Sequence, residues 1–255
     1  MGIGGKAERL MDIHKAKNDG VLVLERFSDG GTFVVDHLSL WTTFIGRNKL
    51  LPDVAPFSPR EIMEWSADVV FGPAFESWNR EISSSSRARS SRERRPPPVE
   101  KETQQTNLLG AKYIKPVHLH LDDAPKFQLR GNDYVLGERN IGGNAQSIVS
   151  GGFLHQTNIL WDWDDTNMEY LTLPEKQLDD KGDHRPHDEV FVRLKDHYGK
   201  HSSKNTLFSH VKNAAGESFE LEEMTLNDVL KISNDKFGGL QKWFDGKCRT
   251  KVVKL

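Results

Sequence analysis

Two glycine pairs in this chain stand beside polar and charged side chains. One is Gly142-Gly143, flanked by Arg139, Asn140, Asn144 and Gln146. The other closes the run Glu25-Arg26-Phe27-Ser28-Asp29-Gly30-Gly31, which also carries a cation. Paired glycines let a backbone approach a ligand closely and present N–H groups to it. The side chains around them could then hydrogen-bond a carboxylate, a phosphate or an amide. The same residues also read, with no ligand at all, as a bulge or turn between strands. A different chemistry is open at His184, His187, Asp188 and Glu189, where His184-x-x-His187 would set two metal-ligating side chains one helical turn apart. Pro186 between them, and charges gathering near a helix start, account for that group without a metal.

Positioning these residues falls first to the stretch from Tyr134 to Asp164. Two apolar-rich runs flank Ser150-Gly151-Gly152, the pattern of a hairpin. Alternation puts Phe153, His155, Thr157, Ile159 and Trp161 on one face of the second run, and Leu154, Gln156, Asn158 and Leu160 on the other. Val21–Leu24 and Thr32–Asp36 read as strands paired through the Gly30-Gly31 turn, and Leu38 to Ile45 continues the sheet. Residues 7–17 form a short helix ended by the Asn18-Asp19-Gly20 turn. Ser58, Pro59 and Glu61 make a helix start with a capping box, after which Ile62, Trp65 and Val69 share a face. Gly72-Pro73 should break or kink that helix. Ser83 to Gln105 is rich in serine, arginine and proline and is predicted disordered, within a low-complexity insertion over 83–124. Helical faces follow at Val190, Phe191, Leu194 and Tyr198, and at Leu207, Phe208 and Val211, with a capped helix start at Thr225. The tail from Lys247 is frayed or a terminal strand. The fold class is α/β (α+β), with central mixed β-sheets flanked by helices.

At 255 residues the chain can hold a sizeable core. A net charge of −2 gives no pull toward nucleic acid or an anionic membrane. The single cysteine, Cys248, excludes an intramolecular disulfide and a cysteine-cluster metal site. No run approaches the roughly 20 apolar residues of a membrane span. Met1 to Lys15 lacks the apolar core of a signal peptide, and Lys6 stands where a myristoylation pattern has Ser or Thr. Mitochondrion, plastid and cytosol all stay open.

In combination, the two glycine turns and the strand after them resemble the biotin/lipoate protein ligase superfamily, in its lipoate–protein ligase A branch. The first block is Glu25 through Gly31-Thr32 to Asp36. The second is Gly137-Glu138-Arg139-Asn140-Ile141-Gly142-Gly143-Asn144-Ala145. The third is His155-Gln156-Thr157-Asn158-Ile159-Leu160-Trp161-Asp162. The resemblance covers roughly residues 1–80 and 125–200. It implies one ligase-like domain over 1–255, interrupted by 83–124 and lacking a leading strand and helix. It further implies ATP-dependent adenylation of lipoate, with Mg accompanying ATP and no resident prosthetic group. Transfer would then follow to a lysine on a lipoyl acceptor domain of a 2-oxoacid dehydrogenase or a glycine cleavage protein. Such a protein would be a monomer, with no nucleic acid or membrane partner.

By the same resemblance, Arg26, Ser28, Gly30, Gly31, Thr32 and Asp36 bind lipoate and phosphate. Gly142, Gly143, Asn144, Ala145 and His155 join them around the adenylate. Phe33, Val35 and Ile141 line the slot for the acyl chain, and Arg139 and Asn140 occupy the catalytic positions. Four residues depart from the family pattern: Asn140 replaces a lysine, Glu25 an arginine, Asp29 a glycine and Gln156 a histidine. Asparagine donates a hydrogen bond but carries no charge. Two functional readings therefore stand side by side, a lipoate ligase and a non-catalytic binding protein of the same fold.

Overall fold

The computed structural model describes residues 1–28, 31–47, 49, 58–93, 125–172, 190–199 and 202–255. Helices α1 (Ala7–Leu10) and α2 (Ile13–Asn18) open the chain, followed by a two-residue strand β1 (Leu24–Glu25) and a long strand β2 (Ser39–Arg47). Helix α3 (Pro59–Ser66) leads through a π-helical turn (Ala67–Phe71) into α4 (Gly72–Glu93). Strands β3 (Phe127–Arg130), β4 (Asp133–Leu136), β5 (Arg139–Asn140), β6 (Gly142–Val149) and β7 (Gly152–Leu160) come next. The short helices α5 (Asp165–Met168) and α6 (Leu194–Tyr198) precede α7 (Lys204–Ser218), α8 (Leu226–Phe237), α9 (Leu240–Lys247) and the terminal strand β8 (Lys251–Val252).

Among the described residues three small sheets result, in the orders β2-β7-β6, β3-β4-β5 and β1-β8. Every ladder between named strands is antiparallel. Among the described residues the parallel element is one bridge from Asn140 to Phe191. Strands β6 and β7 form the hairpin expected around Ser150-Gly151, with Val149 opposite Gly152. The alternation along β7 holds: Phe153, His155, Thr157 and Ile159 are buried on the face that meets α3 and the π turn.

Helix α3 starts as its sequence requires. Ser58 Oγ accepts from the Glu61 N–H, and Glu61 Oε2 accepts from the Ser58 N–H at 2.9 Å. Gly72-Pro73 does not break the helical limb. The Gly72 N–H reaches back to the Ala67 carbonyl, which widens one turn into a π turn. Helix α4 then begins at Gly72, so Pro73 falls in a first turn, where a missing N–H costs little. The main core forms where this limb meets the sheets. Phe71, Phe75 and Trp78 pack with Tyr134, Leu136, Ile141 and Ile159, and with Leu194, Leu207 and Val211. The Trp78 ring stacks on Tyr198 with 3.8 Å between centroids.

Two expectations are corrected. Val21–Leu24 and Thr32–Asp36 do not pair. Only Leu24 and Glu25 are strand, and they pair with Val252 and Lys251. Val21, Leu22 and Leu24 are exposed, and Val23 alone of the run is buried, in a small cluster with Met1, Ala7 and Met11 rather than in the central sheet. Residues 31–36 run along the protein without a ladder. The C-terminal tail is the terminal strand of the two alternatives. The second correction concerns Ser83 to Glu93, which continue α4 rather than being disordered. A helix already nucleated on a buried face propagates readily through arginine and glutamate. The rest of the insertion, 94–124, lies outside the described residues.

Candidate functional site

The sheet β2-β7-β6 has two faces, and the residues singled out in the sequence divide between them. Register places Gly143 opposite Asn158 and Ala145 opposite Gln156, with Trp41 opposite Asn158 on the other side. These side chains share the outer face, and residues 26–28 and 31–36 lie across it. Ser28 is buried there, donating from Oγ to Gln156 Oε1 at 3.3 Å. Arg26 donates from Nε to Ser28 Oγ at 3.3 Å and from a terminal nitrogen to the Gly31 carbonyl at 2.8 Å. Its guanidinium lies over the Phe33 ring, 5.0 Å from the centroid.

Phe33 in turn meets Trp41 edge-on, with centroids 5.7 Å apart. The ring also fills the space above Gly143, where an added Cβ would come within 2.5 Å of it. The glycine is what permits this approach. The two glycine-bearing segments therefore meet, through Phe33 and Gly143. Asp36 ties down the far end of the crossing chain. Its carboxylate accepts from the Leu38 N–H at 2.9 Å and from Ser39 Oγ and Asn167 Nδ2 at 3.3 Å each. Gly30 and Asp29 lie outside the described residues. Gly31 is exposed, with open space where a side chain would be.

His155, Asn144 and Gln146 face the other way, into the interior under α3. His155 is fully buried. Its Nε2 lies 3.1 Å from Ser66 Oγ and 3.3 Å from both Tyr134 Oη and Thr157 Oγ1, while Nδ1 is 3.1 Å from Gln146 Nε2. Asn144 accepts from Thr157 Oγ1 at 2.8 Å. Burial lowers the His155 pKa to about 4 and pushes the Tyr134 phenol up. The ring is thus neutral and holds a polar cluster together behind the sheet.

A stability prediction follows for His155. An unfolded histidine titrates near 6.5, above the folded value. As pH falls from about 6.5 toward about 4, the unfolded chain takes up a proton that the folded chain refuses, so stability is lost across that window. Denaturant melts should show about 2 kcal/mol more loss between pH 7.5 and 5 in the wild type than in His155→Gln. Equal losses would mean the ring is not held neutral.

Arg139 and Asn140 sit on β5, where the Gly142-Gly143 segment begins. The Asn140 carbonyl accepts from the Val192 N–H at 2.9 Å, and Arg139 donates to His197 Nε2 at 3.4 Å. Burial, and then the adjacent Arg139, hold the His197 pKa below its ordinary value. The cations near this segment are engaged. Lys195 Nζ meets Asp162 Oδ2 at 2.6 Å, and Arg193 meets Asp165 Oδ1 at 2.8 Å while lying over the Trp163 ring.

Of the residues expected to line an acyl slot, Phe33 lies on the outer face. Val35 is 71% exposed and Ile141 belongs to the main core, so neither lies with Phe33. The chemistry legible only in the structure is at Trp41, Asn158 and Thr32. Trp41 Nε1, Asn158 Oδ1 and Thr32 Oγ1 are buried without hydrogen-bond partners, as is Thr42 Oγ1 on the inner face. An asparagine inside the apolar run Asn158-Ile159-Leu160-Trp161 was the available signal. Residues 184 and 187–189, the alternative metal ligands, lie outside the described residues. Among those described, no group of three or more His, Cys, Asp or Glu could hold a metal ion.

Solved structures share this architecture. The bipartite lipoate protein ligase of Thermoplasma acidophilum, whose structure is described with its E2 lipoyl domain, superposes with a TM-score of 0.51 at 15% identity. The match covers 99% of this chain and 82% of that one. Plasmodium falciparum LipL1 in complex with lipoate gives a TM-score of 0.52 at 15% identity, over 96% of this chain and 55% of its own. This chain has the catalytic fold of the lipoate–protein ligases. A curated Plasmodium falciparum protein, inactive lipoate–protein ligase 2, is 23% identical over 189 residues, which is 69% of this chain. The ligase-like chain spans 42% of that relative's length. No family model matches it. Among its described residues, no helix is long and apolar enough to cross a membrane.

Proposed function

We propose that the ligase-like chain binds a lipoyl-type acyl group between the Arg26–Asp36 segment and the outer face of the β2-β7-β6 sheet, without carrying out robust lipoyl adenylation. The approach of Phe33 to Gly143 carries this reading, because it brings together the two segments that the resemblance assigns to the acyl ligand. In that assignment Arg26, Ser28, Gly31 and Thr32 form the crossing wall. Asp36 anchors it, and Gly143 and Ala145 form the floor, from which the Phe33 ring must swing aside for a ligand to enter. Gly142 keeps the floor strand close to β7. His155 and Asn144 act from behind the sheet by fixing its polar layer.

The loss of adenylation rests on Asn140. Joining a carboxylate to an α-phosphate gathers negative charge, and a fixed cation at that point is worth far more in a dry site than in water. Asn140 offers no charge, and Arg193, which follows the Val192 whose N–H the Asn140 carbonyl accepts, is ion-paired with Asp165, as Lys195 is with Asp162. By sequence, Glu25 and Asp29 stand where the resembled pattern has an arginine and a glycine, a change of charge that disfavours an anionic ligand. The name of the Plasmodium relative supports the same reading. ATP with Mg, and an acceptor lysine on a lipoyl domain, remain the co-substrates of the parent chemistry. We assign this chain, as a monomer, the binding half of that chemistry. Calorimetric titration with lipoyl ligands beside a pyrophosphate-release assay tests both halves. Absence of any acyl binding removes the first, and sustained release removes the second.

A further inference from the structure

The side chain that brings the two segments together also stands in a ligand's way. The Phe33 ring turns one edge to Gly143, where an added Cβ would lie 2.5 Å from Cε1 and 2.9 Å from Cζ. Trp41 meets the ring edge-on with centroids 5.7 Å apart, and the Arg26 guanidinium covers it 5.0 Å from the centroid. The space above Gly143 is filled by the chain's own ring. We propose that Phe33 is the gate of the acyl site: the ligand-free chain is self-closed, and binding waits on the ring leaving Gly143. This rests on the acyl-binding reading above and specifies how that same site is regulated.

The gate has a latch and a loose mounting. Arg26 lies over the ring while donating to Ser28 Oγ and to the Gly31 carbonyl, so the cation is held in place there. Ser28 is buried and donates to Gln156 on the sheet. The edge contact to Trp41 and the cation over the ring together favour the closed state by about tenfold. Against that, no backbone–backbone hydrogen bond among the described residues holds 31–36. Gly31 is exposed with open space around it, and Val35 is exposed. A stretch with few backbone bonds opens at small cost. Asp36 keeps its far end in place through the Leu38 N–H and Asn167, which confines the movement to the residues around Phe33. The ring itself is half-buried and can turn outward without crossing the core. A site that is closed most of the time shows an affinity reduced by its open fraction, and removing the ring removes that reduction.

Calorimetry with lipoate and with lipoamide on the full chain compares the wild type with Phe33→Ala and Phe33→Leu. Phe33→Ala should bind both ligands about tenfold more tightly than the wild type, with Phe33→Leu in between. An equal gain for the acid and the amide separates the gate from charge effects at Arg26. Stopped-flow tryptophan fluorescence adds the rate, since Trp41 lies against the ring and reports on it. In the wild type the binding rate should level off as ligand concentration rises, because opening becomes limiting. In Phe33→Ala it should keep rising in proportion to ligand. A ring that serves as a wall of the bound site predicts the opposite sign, with both ligands weakened in Phe33→Ala. Weaker or unchanged binding in that variant, or a wild-type rate that rises in proportion throughout, overturns the gate and leaves the acyl reading standing. Binding by neither the wild type nor Phe33→Ala overturns both. The wild-type rate needs no variant to fold.

Discussion

Gly142→Ala is expected to destabilise the chain by about 3–5 kcal/mol, the largest effect of any single methyl added to this fold. A Cβ at position 142 would fall inside the Asn158 carbonyl group, with the Ile159 Cα next in line. Both are backbone, held in the β6–β7 ladder with Gly142 opposite Ile159. The Leu160 N–H to Ile141 carbonyl bond, 2.7 Å long, closes the two strands at this point. No rotamer change can make room, so the strands must separate. A loss of this size is comparable to the whole stability of a marginal domain. Gly143→Ala is the natural control. Its methyl would meet the Phe33 ring, which sits on a segment without ladder bonds and can swing aside. That variant should cost about 1–2 kcal/mol. Denaturant melts of the two variants give the comparison. Equal costs would mean that the β6–β7 pairing at Gly142 is looser than described.

Asn140→Lys is expected to raise pyrophosphate release with lipoate and ATP by about 10²-fold. The position suits a longer side chain. Asn140 is half-buried on a two-residue strand whose carbonyl is fixed by Val192, so the backbone is set independently of the side chain. One aimed donor in a desolvated site is typically worth about 10²–10³ in rate, and a charge neutralises what an amide only solvates. Glu25 and Asp29 remain, so the variant should stay below a well-evolved ligase. An unchanged rate in a folded Asn140→Lys protein would mean that another residue sits at the reacting carboxyl.

The hairpin was legible because its signals agreed. Ser150-Gly151 supplied the turn, and the alternation from Phe153 to Ile159 separated the two faces correctly. Ser58, Pro59 and Glu61 specified a helix start by local hydrogen bonding alone, and the capping box forms. Val21–Leu24 misled because an apolar run says nothing about whether a core lies beside it. Tertiary placement left three of its residues exposed. Ser83–Glu93 misled in the opposite sense, since a polar composition does not stop a helix that is already anchored by Phe75 and Trp78. His155 stands in the third block of the resemblance, but strand alternation turns it inward, away from Gly143 and Phe33. The burial of Trp41 Nε1 and Asn158 Oδ1 depends on which strands become neighbours, and no local pattern encodes that register.

Titrating the wild-type chain with lipoate and lipoamide, and following pyrophosphate release on the same preparation with lipoate, ATP and Mg, tests the central claim directly. The account predicts saturable binding of the acyl ligand and less than one turnover of pyrophosphate release. Multiple turnovers of pyrophosphate release by the unaltered chain would contradict it.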